Sequence, residues 1–239
     1  MRECNDCGEC CRFIGRINLN EKERKTFNDY YFDNFGIVYL PKLGNITISL
    51  FPWEARTFMR IAEEKKVKLN LLPKRVILDS KKKLMIIVDY YVHHNICPFY
   101  SEKEFCTVYS DRPIVCRSFP VTKFDFKSIA FGKCDFAKEE TKGISGTARL
   151  FRRFSNSATN ALQQQIILEW QYSKILTLLG KKLINPVKKT GFVYEAIDLD
   201  EFLINNDLLE NFELESMIKR IEKCEDAKVL IKEKGIKAI

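Results

Sequence analysis

Eight of the nine cysteines fall within the first 134 residues, and four of them lie between Cys4 and Cys11. A packed core does not need thiols in that density. The run reads Cys4-x-x-Cys7-x-x-Cys10-Cys11. Two residues between thiols let both side chains turn toward one ion while backbone amides point at the sulfurs. Thiolates so placed bind tetrahedral zinc or the irons of an iron–sulfur cluster. Neighbouring side chains normally diverge. Cys10 and Cys11 are therefore not expected to complete one compact site together with Cys4 and Cys7. Three readings stay open: one thiol is a bystander, the two serve different metals, or one bridges. A second group, Cys97, Cys106, Cys116 and Cys134, gives four more thiols. Eight thiols suffice for two four-ligand centres, or for one cluster with thiols around it.

The start, Met1-Arg2-Glu3-Cys4, has no apolar stretch behind a basic end. No secretory signal is expected, so the compartment is read as reducing and cytoplasmic, where cysteine clusters serve metals or catalysis more often than disulfides. No run of about 18 apolar residues occurs, so no membrane contact is expected. The net charge of +8 is spread evenly, with 24 basic and 19 acidic side chains in residues 1–140 and 16 and 13 beyond. Without a basic domain or tail, nucleic acid is a disfavoured partner. The chain carries no GxGxxG, P-loop, HExxH or GxSxG, and no CxxxCxxC of the radical-enzyme kind.

Periodicity gives an α+β chain. A mixed, cysteine-rich metal domain with short hairpins is expected over 1–140, and a mostly helical region packed on it over 141–239, with Thr141 to Gly146 as the joint. Glu21 to Phe32 reads as a helix. Gly36 to Leu40 and Ile46 to Leu50 read as a hairpin around Gly44-Asn45. Pro52 starts a helix to about Lys66, with Ala55, Phe58, Met59 and Ala62 on its apolar face. Arg75 to Asp79 and Leu84 to Tyr91 form a further hairpin, and Val121 to Phe131 adds strands. Gly146 to Leu179 is a long helix stopped by Gly180, Phe192 to Ile197 a strand, and Asp200 to Asn206 and Glu213 to Lys234 are helices. Cys224 shares an apolar helical face with Leu214, Met217, Ile218 and Ile221, and is read as a small core residue rather than a ligand. His93 and His94, the only histidines, are read as structural or surface residues.

The central motif is specific. Cys97-Pro98-Phe99-Tyr100 is followed by Cys106-Thr107-Val108-Tyr109-Ser110-Asp111-Arg112-Pro113-Ile114-Val115-Cys116-Arg117-Ser118-Phe119-Pro120, then Cys134. With the CxxCxxCC start, this resembles the YkgJ-type cysteine-cluster family of zinc- or iron-chelating proteins, over roughly residues 1–135. It is more distantly similar to the flagellin lysine N-methylases, which carry an iron–sulfur cluster. An insertion-like stretch, about Phe13 to Ser49, departs from the family's shorter form. The resemblance implies an iron–sulfur cluster, [4Fe–4S] favoured, with zinc as the alternative cofactor. Its metal ligands would be Cys4, Cys7, Cys10, Cys11, Cys97, Cys106, Cys116 and Cys134. Arg112 and Arg117 are expected to offset the charge of a thiolate-rich centre. With Tyr109 they form the expected cofactor-binding set. Three functions follow: an iron–sulfur protein with a redox partner, a protein lysine methyltransferase using S-adenosylmethionine on a protein substrate, or a zinc-stapled binding module.

Overall fold

The computed structural model describes residues 8–12, 20–40, 48–119, 121–124, 127–130, 156–182, 186, 188 and 194–206. In chain order these form α1 (Glu9–Arg12), α2 (Glu21–Phe35), β1 (Ile37–Tyr39), β2 (Ser49–Leu50), α3 (Pro52–Glu64), β3 (Leu71–Asp79), β4 (Leu84–Val92), β5 (Tyr100–Ser101), β6 (Phe105–Cys106), α4 (Ile114–Ser118), β7 (Val121–Phe124), β8 (Lys127–Ala130), α5 (Asn156–Lys182), β9 (Glu195–Asp198) and α6 (Leu199–Asn205). The fold is α+β, as the periodicity predicts. Among the described residues no helix is long and apolar enough to cross a membrane. The expected joint at 141–146 and the helix carrying Cys224 lie outside the described residues. Two compact units divide the chain: one of residues 1–13, 99–169 and 216–239, the other of 14–98 and 170–215.

The second unit is built on an antiparallel hairpin, β3–β4. Asp79 shapes its turn, its Oδ1 accepting from the N–H of Lys81 at 2.9 Å and of Lys82 at 3.3 Å. β1 pairs with β3 on one side. On the other edge of β4, β9 pairs in parallel with Leu84–Ile87 and β2 antiparallel with Tyr90–Tyr91. Residues 37–39 and 49–50 are thus strands, but they do not form the expected hairpin. The longer, more apolar β3–β4 pair takes the centre, and each short strand finds its partner there rather than in the other. Registers align Ile37, Ile77, Ile86 and Ile197 in one row across four strands. The first three are buried to 1% exposure or less. β-Branched side chains in such cross-strand rows are the unit of sheet stabilisation. The opposite face gathers Val76, Leu78 and Ile87, with Val38, Met85, Tyr90 and Tyr194 against them.

Helix α3 buries Glu54, Ala55, Phe58, Ile61 and Ala62 and packs on β2, β4 and α6. Met59, expected on that face, is 46% exposed. The buried stripe runs through Ile61 instead, one turn on from Phe58. Only one arm of a capping box is present: the Phe51 N–H donates to Glu54 Oε2 at 3.1 Å, since a phenyl ring offers no acceptor. The other end is a Schellman closure, in which the Lys66 N–H donates to the Glu63 carbonyl at 3.1 Å and the Val67 N–H to that of Ala62 at 2.8 Å. Lys66 sits there at φ 54°, a conformation that suits glycine. Lys66→Gly is therefore expected to stabilise the protein by about 1 kcal/mol. A denaturant midpoint that does not rise would contradict this.

Helix α5 runs on through Gly180 to Lys182, so that glycine does not stop it. One glycine near a helix end costs only about 1 kcal/mol, which the packing of a long helix offsets. In the second unit, Arg56 pairs with Asp198 at 2.7 Å and Asp200 at 2.8 Å, and the buried Tyr172 hydroxyl donates to Asp200 at 3.0 Å. This network ties α3 to the last part of α5 and to the start of α6. Burial, then the Asp200 carboxylate, push the Tyr172 phenol well above its ordinary value. It is a permanent donor.

Candidate metal centre

Cys10 and Cys11 lie on α1, a single helical turn. Gly8 starts that turn at φ +72°, and its carbonyl accepts from the N–H groups of Cys11 and Arg12, both at 3.0 Å. A Cβ at Gly8 would fall within the Tyr100 ring, so the backbone at Gly8 lies against that ring. Arg12 fixes the contact. Its guanidinium donates to the Tyr100 hydroxyl at 2.7 Å and stands 5.2 Å from the ring centroid. Tyr100 pairs directly across from Cys106 in the β5–β6 hairpin. The thiols of α1 and of β6 are therefore tied to the same tyrosine.

Within the motif Phe99, Val108 and Ile114 are buried. The Phe99 carbonyl accepts from the Thr107 N–H at 2.9 Å and its hydroxyl at 3.1 Å. Pro113 then starts α4, where the N–H groups of Cys116 and Arg117 both donate to its carbonyl at 2.9 Å. Phe105, beside Cys106, is held at φ 55°. That conformation is strained for a bulky residue, and such strain gathers near functional positions.

The Cys10 and Cys11 sulfurs are 3.9 Å apart and partly buried. Their side chains converge, contrary to the divergence expected of sequence neighbours. The hydrogen bond with Cys11, then burial, raise the Cys10 thiol far above its ordinary value, and Arg112 opposes the shift. Without a metal, Cys10 is a protonated thiol. Arg112 supplies the positive charge beside it. That guanidinium is held in place, 3.4 Å from the Tyr109 ring centroid and donating to the Tyr109 carbonyl at 3.0 Å.

Of the expected ligands, Cys10, Cys11, Cys97, Cys106 and Cys116 are described, and all five are thiols rather than disulfides. Cys4, Cys7 and Cys134 lie outside the described residues. Among the described residues no three of His, Cys, Asp or Glu converge on one point. Cys97 is buried, at 8% exposure, within the second unit. Of the expected cofactor residues, Tyr109 is 40% exposed and serves as the platform for Arg112, while Arg117 lies on α4. Sequence reasoning missed Gly8, Arg12 and Tyr100, which position the thiols. The available signal was the glycine inside the first cysteine run and the tyrosine three residues after Cys97.

His94 takes the structural role read from the sequence. Its Nε2 accepts from the Asn70 N–H at 2.9 Å, which requires the neutral ring. Partial burial, then His93 and Lys68, lower its proton affinity below the ordinary value of 6.5. The unfolded chain therefore binds this proton first as pH falls. The contribution to stability is complete above about pH 6.5 and is lost below it. His94→Gln is expected to flatten that part of the stability–pH curve, measured by urea unfolding between pH 7 and pH 5. Equal slopes in both proteins would refute the role.

Residues 47–143 match the family model described as "CxxCxxCC: Putative zinc- or iron-chelating domain". The family resemblance is thus found in this segment, which holds Cys97, Cys106, Cys116 and Cys134, and the match supports zinc or iron chelation. It begins close to where the insertion-like stretch ends, and the run from Cys4 to Cys11 precedes it. No curated protein and no solved structure matches the chain.

Proposed function

We propose that this chain is an iron–sulfur protein, with thiols of Cys4 to Cys11 and of Cys106 to Cys134 as ligands and a redox partner as its counterpart. The observation that carries the reading is the pair of partly buried thiols 3.9 Å apart, with the Arg112 charge favouring the Cys10 thiolate. The donor set fits the group. Soft thiolates suit iron–sulfur clusters and zinc alike, and a thiolate-rich centre is anionic, so a fixed cation beside it lowers the cost of assembling it. The chain's own part is to hold α1 on Tyr100, shield the sulfurs from water and keep Arg112 in place. When bound, the cluster would supply one-electron chemistry.

Purified without oxygen, the protein is expected to be brown, with broad visible absorption that bleaches on reduction. A colourless protein holding stoichiometric zinc, and no iron or sulfide, would replace this reading with the zinc module. The methyltransferase reading draws on the Arg112–Tyr109 stack, a half-buried guanidinium on an aromatic platform that suits a carboxylate such as that of S-adenosylmethionine. Calorimetry with S-adenosylmethionine tests it, and no heat of binding would remove it.

A further inference from the structure

We infer that Cys10 and Cys11 bind the same metal atom as one two-toothed ligand. The inference rests on thiolate metal binding, and it holds whether the metal is iron or zinc. In a helical turn, side chains of adjacent residues leave the axis about 100° apart. Bringing their sulfurs to 3.9 Å requires both rotamers to turn inward. Two thiolates on one tetrahedral ion, each at about 2.3 Å, stand about 3.8 Å apart. The pair already has that spacing. The hydrogen bond between the two thiols holds them at that spacing before a metal arrives, whereas thiols serving separate metals need their own coordination shells between them.

Three features hold the pair. The Gly8 carbonyl takes both following N–H groups and closes the turn. Arg12 and Tyr100 clamp the loop. The Arg112 charge favours the Cys10 thiolate. A consequence follows for the type of centre. In a [4Fe–4S] cluster with four cysteines each iron takes one, whereas in a [2Fe–2S] cluster, or at a single tetrahedral ion, one metal takes two or more. A shared metal therefore turns the expectation from four irons to two, or to one ion.

The test loads the full, metal-free chain anaerobically with cadmium-113 and records proton–cadmium correlation spectra, which read each cysteine's β-protons against the metal it binds. One cadmium resonance coupled to the β-protons of both Cys10 and Cys11 is the expected result. Coupling to two different resonances, or no coupling for one residue, would overturn the inference and leave the metal-binding reading standing. A chain that takes up no cadmium would overturn both. The experiment needs no variant, so misfolding of a cysteine mutant does not enter.

Discussion

Gly8→Ala is expected to cost the protein most of its metal while leaving the sheet unit intact. Two penalties act together. An alanine at φ +72° pays about 1–2 kcal/mol for the left-handed backbone, and its methyl would collide with the Tyr100 ring. Overpacking of that kind costs about 1–3 kcal/mol. The ring cannot step aside without losing its bond from Arg12. Together these predict a loss of at least about tenfold in metal affinity. Gly36→Ala is the control. That glycine also has positive φ, at 67°, and faces Pro186, both within the second unit, so the variant should be strained yet load metal normally. Metal content per chain in both variants decides the matter. A fully loaded Gly8→Ala protein would mean that the docking of α1 on Tyr100 does not hold the thiols.

How far the sequence speaks can be judged at that same turn. The thiols were legible because cysteine chemistry needs no partner to be recognised. The turn that aims them was not, because its cause is a contact between Gly8 and a tyrosine 92 positions away. The sheet repeats the pattern. Strand-forming stretches over 36–40, 46–50 and 192–197 could be read from β-branched and aromatic residues, and strands overlap them at 37–39, 49–50 and 195–198. Their partners could not. Nothing local in Ile37-Val38-Tyr39 distinguishes pairing with Ser49 from pairing with Arg75. That choice belongs to the β3–β4 hairpin, the larger apolar surface. Gly180 failed as a stop signal for a related reason: tertiary packing outweighs the propensity of one residue.

The largest effect on stability is expected at Asp89. This carboxylate, in a residue only 1% exposed, accepts from the Arg75 backbone N–H at 2.9 Å and from its Nε at 2.8 Å. It does so where the β3–β4 register shifts around Arg75. Removing one member of a buried pair leaves the other charge under-compensated, at a cost of about 3–5 kcal/mol. Asp89→Ala should lose that much in urea unfolding, a large part of the roughly 5–15 kcal/mol available to a domain. Asp89→Asn, which keeps one acceptor, should fall between. A loss below about 1 kcal/mol for the alanine variant would mean that the bulge holds itself.

The parallel pairing of β9 with β4 bears on how the chain is made. Leu84 must wait for Glu195. Until residues 195–205 leave the ribosome, that half of the β4 edge stands open, with its N–H and C=O groups ready to take another chain's strand. Closing so distant a contact is also slow. During synthesis, every thiol from Cys97 to Cys134 emerges while the sheet unit is still incomplete. Slowing translation or cutting the message before residue 195 should therefore give aggregates joined through the Leu84–Ile87 edge, whatever the metal supply.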